Sequence, residues 1–169
     1  MLNTLIDRLP EGSGDLANLL RRTLSEETEL AEHYRYGVAL AAACALRNRE
    51  LAALIREHTA AESQAIVRKA LERMGITNPY FQVRMVAEIG AGGSLQALAM
   101  PSLQEAGVSD ETAYHYYAVA ISAINGGMPC YRSHLMDLLH SGESSQAIDQ
   151  ALRLVAALHS LDQLLVLDA

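Results

Sequence analysis

Tyr117-Ala118-Val119-Ala120-Ile121-Ser122-Ala123-Ile124 echoes Tyr36-Gly37-Val38-Ala39-Leu40-Ala41-Ala42-Ala43 without a gap, 81 residues apart and with four of the eight positions identical. Neither run carries a charge or an alternating polar pattern, so each reads as a helix buried around most of its circumference. The echo predicts an internal duplication: two copies of a helical unit packed face to face about a pseudo-dyad, with halves at about 15–90 and 94–169 inside a single domain of residues 1–169. Similar buried helices also arise from composition alone.

Composition agrees with an all-α class. Half of the 169 residues are hydrophobic, yet only 5% are aromatic and Trp is absent, so the apolar mass is mostly Ala and Leu. These are the strongest helix formers. A chain of this length buries a real core without disulfides. Thirteen Lys and Arg against twenty Asp and Glu give a net charge of −7 with no basic run, which argues against a nucleic-acid partner. No uncharged stretch reaches the roughly 18 apolar residues of a membrane span. The first ten residues include Asp7, Arg8 and Pro10 and hold no apolar run of the secretory kind, so the expected location is the cytoplasm. The two cysteines, Cys44 and Cys130, are too few for a disulfide framework, and each is either a small buried hydrophobe or a reactive thiol.

Outward from the echo, the pattern predicts a short helix before Pro10, a helix capped by Asp15 through Leu24, and an Ala-rich helix opened by Ser25, Thr28 and Glu29 and ending near Asn48. Glu50 to Met74 reads as one amphipathic helix stopped by Gly75. Asn78-Pro79-Tyr80-Phe81 reads as a turn into another short helix, and Gly90 to Gly93 as the most flexible linker. Ser109-Asp110 caps a helix from Glu111 to Ile124, and Asn125-Gly126-Gly127 breaks it. Pro129 starts a helix to His140, and a last one runs from Ser145 to Leu165.

The chemistry-bearing segment follows the second run. Cys130 falls in the first turn of the helix begun by Pro129, where unpaired N–H groups and the positive end of the helix dipole favour an anion and lower a thiol pKa. His134 follows at i+4, the spacing that puts two side chains on one face, where an imidazole can take the thiol proton or return one to a leaving oxygen. A buried helix-start cysteine beside a surface histidine has the same spacing. Elsewhere, Glu57, His58 and Glu62, and His33 with Glu29, lie close in sequence, but no Glu-x-x-His pair of the di-iron type occurs, no metal site is expected, and solvated faces account for these groups. The tyrosines at 114, 116 and 117 read as packing residues, in the core or between subunits.

The run Ser122-Ala123-Ile124-Asn125-Gly126, with Cys130 and His134 after it, resembles the active-site segment of the alkylhydroperoxidase D (AhpD) family in the carboxymuconolactone decarboxylase-like superfamily. The helix ending Leu46-Arg47-Asn48, and Met74-Gly75 followed by Asn78 and Tyr80-Phe81, extend the likeness from about Tyr36 to the C-terminus. The resemblance implies a single AhpD-like helical domain, commonly trimeric, that reduces organic peroxides with a C-x-x-C pair. It also implies an external thiol reductant rather than a bound cofactor, supplied by a lipoyl-bearing protein as a dihydrolipoyl group, and an adaptor role toward the peroxiredoxin AhpC.

By the same resemblance Cys130 matches the second cysteine of the pair and His134 the histidine after it. Gly127 stands where the first cysteine is expected, Pro129 where many members carry histidine, and His115 where the family has a proton-relaying glutamate. A local disulfide is then impossible, and a sulfenic acid on Cys130 needs another thiol: glutathione, a partner, a neighbouring subunit, or Cys44 if folding brings it near. His115 can accept a proton near neutral pH without adding negative charge; it is otherwise one more aromatic beside the tyrosines. The expected catalytic set is Cys130, His134 and His115, acting as an antioxidant thiol peroxidase. The alternative, favoured by the loss of one cysteine, is a redox-inactive oligomeric binding or adaptor protein, and a lyase of the decarboxylase branch matches the segment less well.

Overall fold

The two echoing runs become the inner helices of the molecule. The computed structural model describes residues 1–167, and among them are eight α-helices and no strand: α1 (Leu2–Ile6), α2 (Gly14–Arg21), α3 (Glu32–Ala45), α4 (Arg49–Arg56), α5 (Ala61–Arg84), α6 (Glu111–Asn125), α7 (Met128–His140) and α8 (Ser145–Leu167). The class is all-α. Among the described residues no helix is long and apolar enough to cross a membrane.

Residues 37–43 of α3 and 116–122 of α6 are all buried, and α5 and α8 pack against both helices. Their close approach depends on Gly37. A Cβ there would overlap the hydroxyl end of the Tyr117 ring, so only a residue without a side chain lets α6 lie this near α3. Tyr114, Tyr116 and Tyr117 are each at most 1% exposed. These tyrosines therefore pack in the core of the chain itself, the first of the two placements expected for them.

Several helix boundaries differ from the sequence reading, each for a tertiary reason. Asp15 lies inside the first turn of α2, whose N-cap is Ser13, and α2 ends in a π-helical turn, Arg22–Glu26, that contains Ser25. Ser25 therefore caps nothing, and α3 starts only at Glu32. The segment between is held from other helices. Gln150 donates to the carbonyls of Thr23 and Glu27 and accepts from the Leu30 N–H, and Arg35 donates to the carbonyls of Leu24 and Glu27. Asn48 does not end α3 but caps α4, accepting from the Leu51 N–H.

The single helix expected over Glu50 to Met74 is two. Thr59 donates to the Ile55 carbonyl, and Gln64 donates to those of Arg56 and Thr59, closing α4 and turning the chain into α5. Conversely, α5 runs through Gly75 and Pro79, where a stop and a turn are expected. A stripe of buried residues, Ile66, Val67, Ala70, Arg73, Met74, Thr77 and Asn78, crosses both breakers, so packing of that face outweighs the local penalties. The Gly90 to Gly93 stretch is tied down. Arg84 donates to the carbonyls of Ile89 and Ala91, and the Gly93 N–H donates to the Tyr80 hydroxyl.

The second half follows the expectation closely. Asp110 caps α6 by accepting from the Ala113 N–H, and the Ser144 hydroxyl accepts from the Ala147 N–H at the start of α8. At the corner between α6 and α7, Asn78 of α5 is 2% exposed, donates to the Ser122 hydroxyl (2.9 Å) and accepts from Asn125 (3.2 Å). It lies so close to Gly127 that any side chain there would require the amide to move.

Two substitutions test this packing. Gly37→Ala must separate α3 from α6 or displace Tyr117, a cost of about 1–3 kcal/mol, and is expected to lower Tm by roughly 5 °C in thermal unfolding followed by circular dichroism. Asn78→Ala leaves Asn125 without its acceptor and empties a buried site at the corner. A fall in Tm of several degrees is expected there too, with faster amide exchange at residues 125–131; wild-type exchange at that corner would show that Asn78 does not hold it.

Candidate active site

The first turn of α7 is set by its own sequence. Gly126 ends α6 in the left-handed region (φ 69°), and Pro129 occupies a first-turn position where its missing N–H costs nothing. Cys130 is the third residue of the helix, at the end that carries the positive pole of the dipole. It is 6% exposed, and it lines a cavity of about 400 Å³.

Three helices and one connection build that cavity. Arg73, Met74, Thr77 and Phe81 come from α5, Tyr114 and His115 from α6, and Pro129, Cys130, Ser133, His134 and Asp137 from α7. Leu95 and Leu103 of the segment joining α5 to α6 close one side. All three residues expected from the sequence, Cys130, His134 and His115, face the same space.

Their pairing differs from the expected one. His134 shares a face of α7 with Cys130, but its Nδ1 is 2.9 Å from Nδ1 of His115, which reaches across from α6. Among the described residues no hydrogen bond joins Cys130 to either imidazole. The i+4 spacing brings His134 to the right face, and the neighbouring helix supplies a better partner. His115 is thus drawn into the cavity rather than grouped with the tyrosines, although the Tyr114 ring stands edge-on to both imidazoles, 5.6 Å between centroids.

Both imidazoles are held neutral. Burial first, and then the proximity of His115 and Arg73, push the pKa of His134 down to about 3. Burial also lowers that of His115, against the opposing pull of Asp137 and Glu111. In a bond between two neutral rings one Nδ1 donates and the other accepts, so the pair holds opposite tautomers. One ring then presents a bare Nε2 acceptor and the other an Nε2–H donor.

Two cavity residues escape the sequence reading. Asp137 places a carboxylate oxygen 3.6 Å from Nδ1 of each histidine. Its i+3 spacing from His134 is the signal that could have found it. Arg73 is 9% exposed and donates to the Pro101 carbonyl at 2.8 Å, which leaves a nearly buried cation beside His134 and Tyr114. Nothing in its local pattern separates it from the solvated Arg68 and Lys69.

Cys44 sits near the end of α3, half-buried against the core and outside the cavity lining, with burial raising its pKa. Of the other groups noted in the sequence, His33 lies against Tyr34 in a tilted contact (centroids 4.0 Å apart), and Glu62 accepts from the Ser109 hydroxyl.

Comparison with known proteins agrees with the resemblance at the α6–α7 segment. Residues 91–167 match the Carboxymuconolactone decarboxylase family. The alkyl hydroperoxide reductase AhpD of Coxiella burnetii is 33% identical over 175 aligned residues, covering 99% of this chain and 98% of that protein. The protein of the same name from Anaeromyxobacter sp. (strain K) is 33% identical over 164 residues, 94% of this chain and 87% of its own length. That from Rhodopseudomonas palustris is 32% identical over 165 residues, 95% and 90%. With identity above 30% across nearly the whole length, the chain belongs to the AhpD family, within the carboxymuconolactone decarboxylase superfamily.

Proposed function

We propose that the chain reduces organic hydroperoxides through one nucleophilic thiol, Cys130, with His134 and His115 moving the protons. The observation that carries this reading is the convergence of all three residues on one cavity, with the sulfur at the start of α7. The names of the relatives point to the same reaction.

The bare Nε2 of the imidazole pair takes the thiol proton, by direct approach or through one water, and the thiolate attacks the distal oxygen of the hydroperoxide. The O–O bond breaks, sulfur is oxidised to sulfenic acid, and the departing alkoxide receives a proton from the opposite ring's Nε2–H and leaves as alcohol. Transfer along the Nδ1–H···Nδ1 bond then returns both rings to neutrality with their tautomers exchanged, so the bare Nε2 passes to the other ring. Gly127 supplies no neighbouring thiol, and Cys44 lies outside the cavity, so resolution falls to an external thiol. One such thiol condenses with the sulfenic acid, releasing water. A second displaces Cys130 from the mixed disulfide. A dihydrolipoyl group or glutathione supplies both.

On this reading the protein assembles as a homotrimer and meets a lipoyl-bearing protein or the peroxiredoxin AhpC. Exposed apolar side chains at the end of α5 and just beyond, Val83, Met85, Val86 and Ile89, support burial against another chain. The missing first cysteine favours a second reading, a redox-inactive oligomeric adaptor.

Peroxide consumption separates the two. With cumene hydroperoxide and either dihydrolipoamide or glutathione, the wild type is expected to sustain turnover, and Cys130→Ser to fall at least about 100-fold, to the uncatalysed background. Cys44→Ser is expected to keep the wild-type rate. Mass spectrometry after substoichiometric peroxide is expected to find a sulfenic acid, or its mixed disulfide with added thiol, on Cys130. Equal oxidation of Cys44 and Cys130, or no turnover with either donor, overturns the proposal.

A further inference from the structure

Asp137 has no part in the thiol chemistry, yet its carboxylate points at the place where the two imidazoles meet. The Nδ1 atoms of His115 and His134 are 2.9 Å apart, and Oδ2 of Asp137 is 3.6 Å from each. The three ligand atoms all lie within 4.8 Å of one another, on half-buried side chains. The carboxylate is too far for a good hydrogen bond to either ring, and it stands nearly equidistant from both.

These separations suit a metal ion better than they suit a third hydrogen bond. An ion about 2.0–2.1 Å from each ligand atom would see the two nitrogens at an angle of roughly 90°, and each nitrogen and the oxygen at roughly 120°. Those angles leave the side toward the cavity open. We infer that His115, His134 and Asp137 form a binding site for a divalent transition-metal ion, with two imidazole nitrogens and one carboxylate oxygen as protein ligands and water completing the coordination from the cavity. Two nitrogens and one oxygen select a borderline ion such as Zn(II) over Ca(II) or Mg(II), which prefer all-oxygen sites.

Imidazole binds a metal ion in its neutral form. The proton on the donating Nδ1 moves to its own Nε2, and both Nδ1 lone pairs then face the ion. Arg73 opposes a cation here, but its guanidinium is anchored to the Pro101 carbonyl, while Asp137 and Glu111 act in the other direction on the His115 side.

Occupancy has a chemical consequence, and this part rests on the thiol reading of Cys130. With both Nδ1 atoms on the metal, both Nε2 atoms carry hydrogen, and the pair has no base left to receive the thiol proton. Metal binding and peroxide reduction then exclude each other. The site acts as a metal-sensitive brake.

The test titrates the reduced full-length protein with Co(II), followed by its visible d–d absorption, and with Zn(II) by calorimetry. The expected result is one ion per chain. Asp137→Asn and His134→Gln are expected to weaken binding at least tenfold, and Cys130→Ser to change it by less than threefold, since sulfur is not among the ligands. No Co(II) spectrum at stoichiometric metal, or equal affinity in wild type, Asp137→Asn and His134→Gln, overturns the site. Saturating Zn(II) is expected to reduce wild-type peroxide consumption to background and EDTA to restore it. Unchanged turnover in the metal-loaded protein overturns the brake. A chain that binds metal at this site but consumes no peroxide even when metal-free overturns the thiol reading and upholds the site.

Discussion

The notch that Gly37 leaves in α3 is the constraint on which the rest depends. Because no Cβ stands there, Tyr117 lies against the α3 backbone, and α6 takes a position that a larger residue would deny it. The end of α6 fixes the corner at Gly126, the corner fixes the first turn of α7, and that turn carries Cys130. Asn78 locks the same corner from α5 through Ser122 and Asn125. The sulfur's position is thus set by backbone packing some distance away rather than by contacts of its own.

The site departs from a two-thiol centre in an internally consistent way. Where the family resemblance expects a cysteine there is a glycine, and where it expects a glutamate there is His115. The second change alters the electrostatics most. A carboxylate beside the sulfur would disfavour a thiolate; a neutral imidazole does not, and it can bond to His134. The cavity then contains one thiol, a nearly buried guanidinium and a pair of rings hydrogen-bonded to each other, with Asp137 beside them.

Legibility followed the range of the interactions. The helices of the second half, the Asp110 cap, the Gly126 break and the placement of Pro129 and Cys130 are local matters of propensity and capping, and all could be read from the chain. The α4–α5 break, the passage of α5 through Gly75 and Pro79, and the suspension of residues 22–31 from Arg35 and Gln150 depend on partners far away in sequence, such as the 120 positions between Leu30 and Gln150. The same divide runs through the site. Spacing along one helix found His134 and placed it on the face of Cys130; only the crossing of α6 over α7 shows that its nearest partner is His115, and only α5 brings in Arg73.

A lone thiol in one cavity also fixes the order of events for any catalysis it performs. Oxidant and reductant must visit the same atom in turn, each departing before the other arrives, because no second thiol in the cavity stores the oxidising equivalent. Such an enzyme works by substituted-enzyme kinetics, with parallel lines in double-reciprocal plots, and each thiol donor competes with peroxide for one doorway rather than docking at a surface of its own.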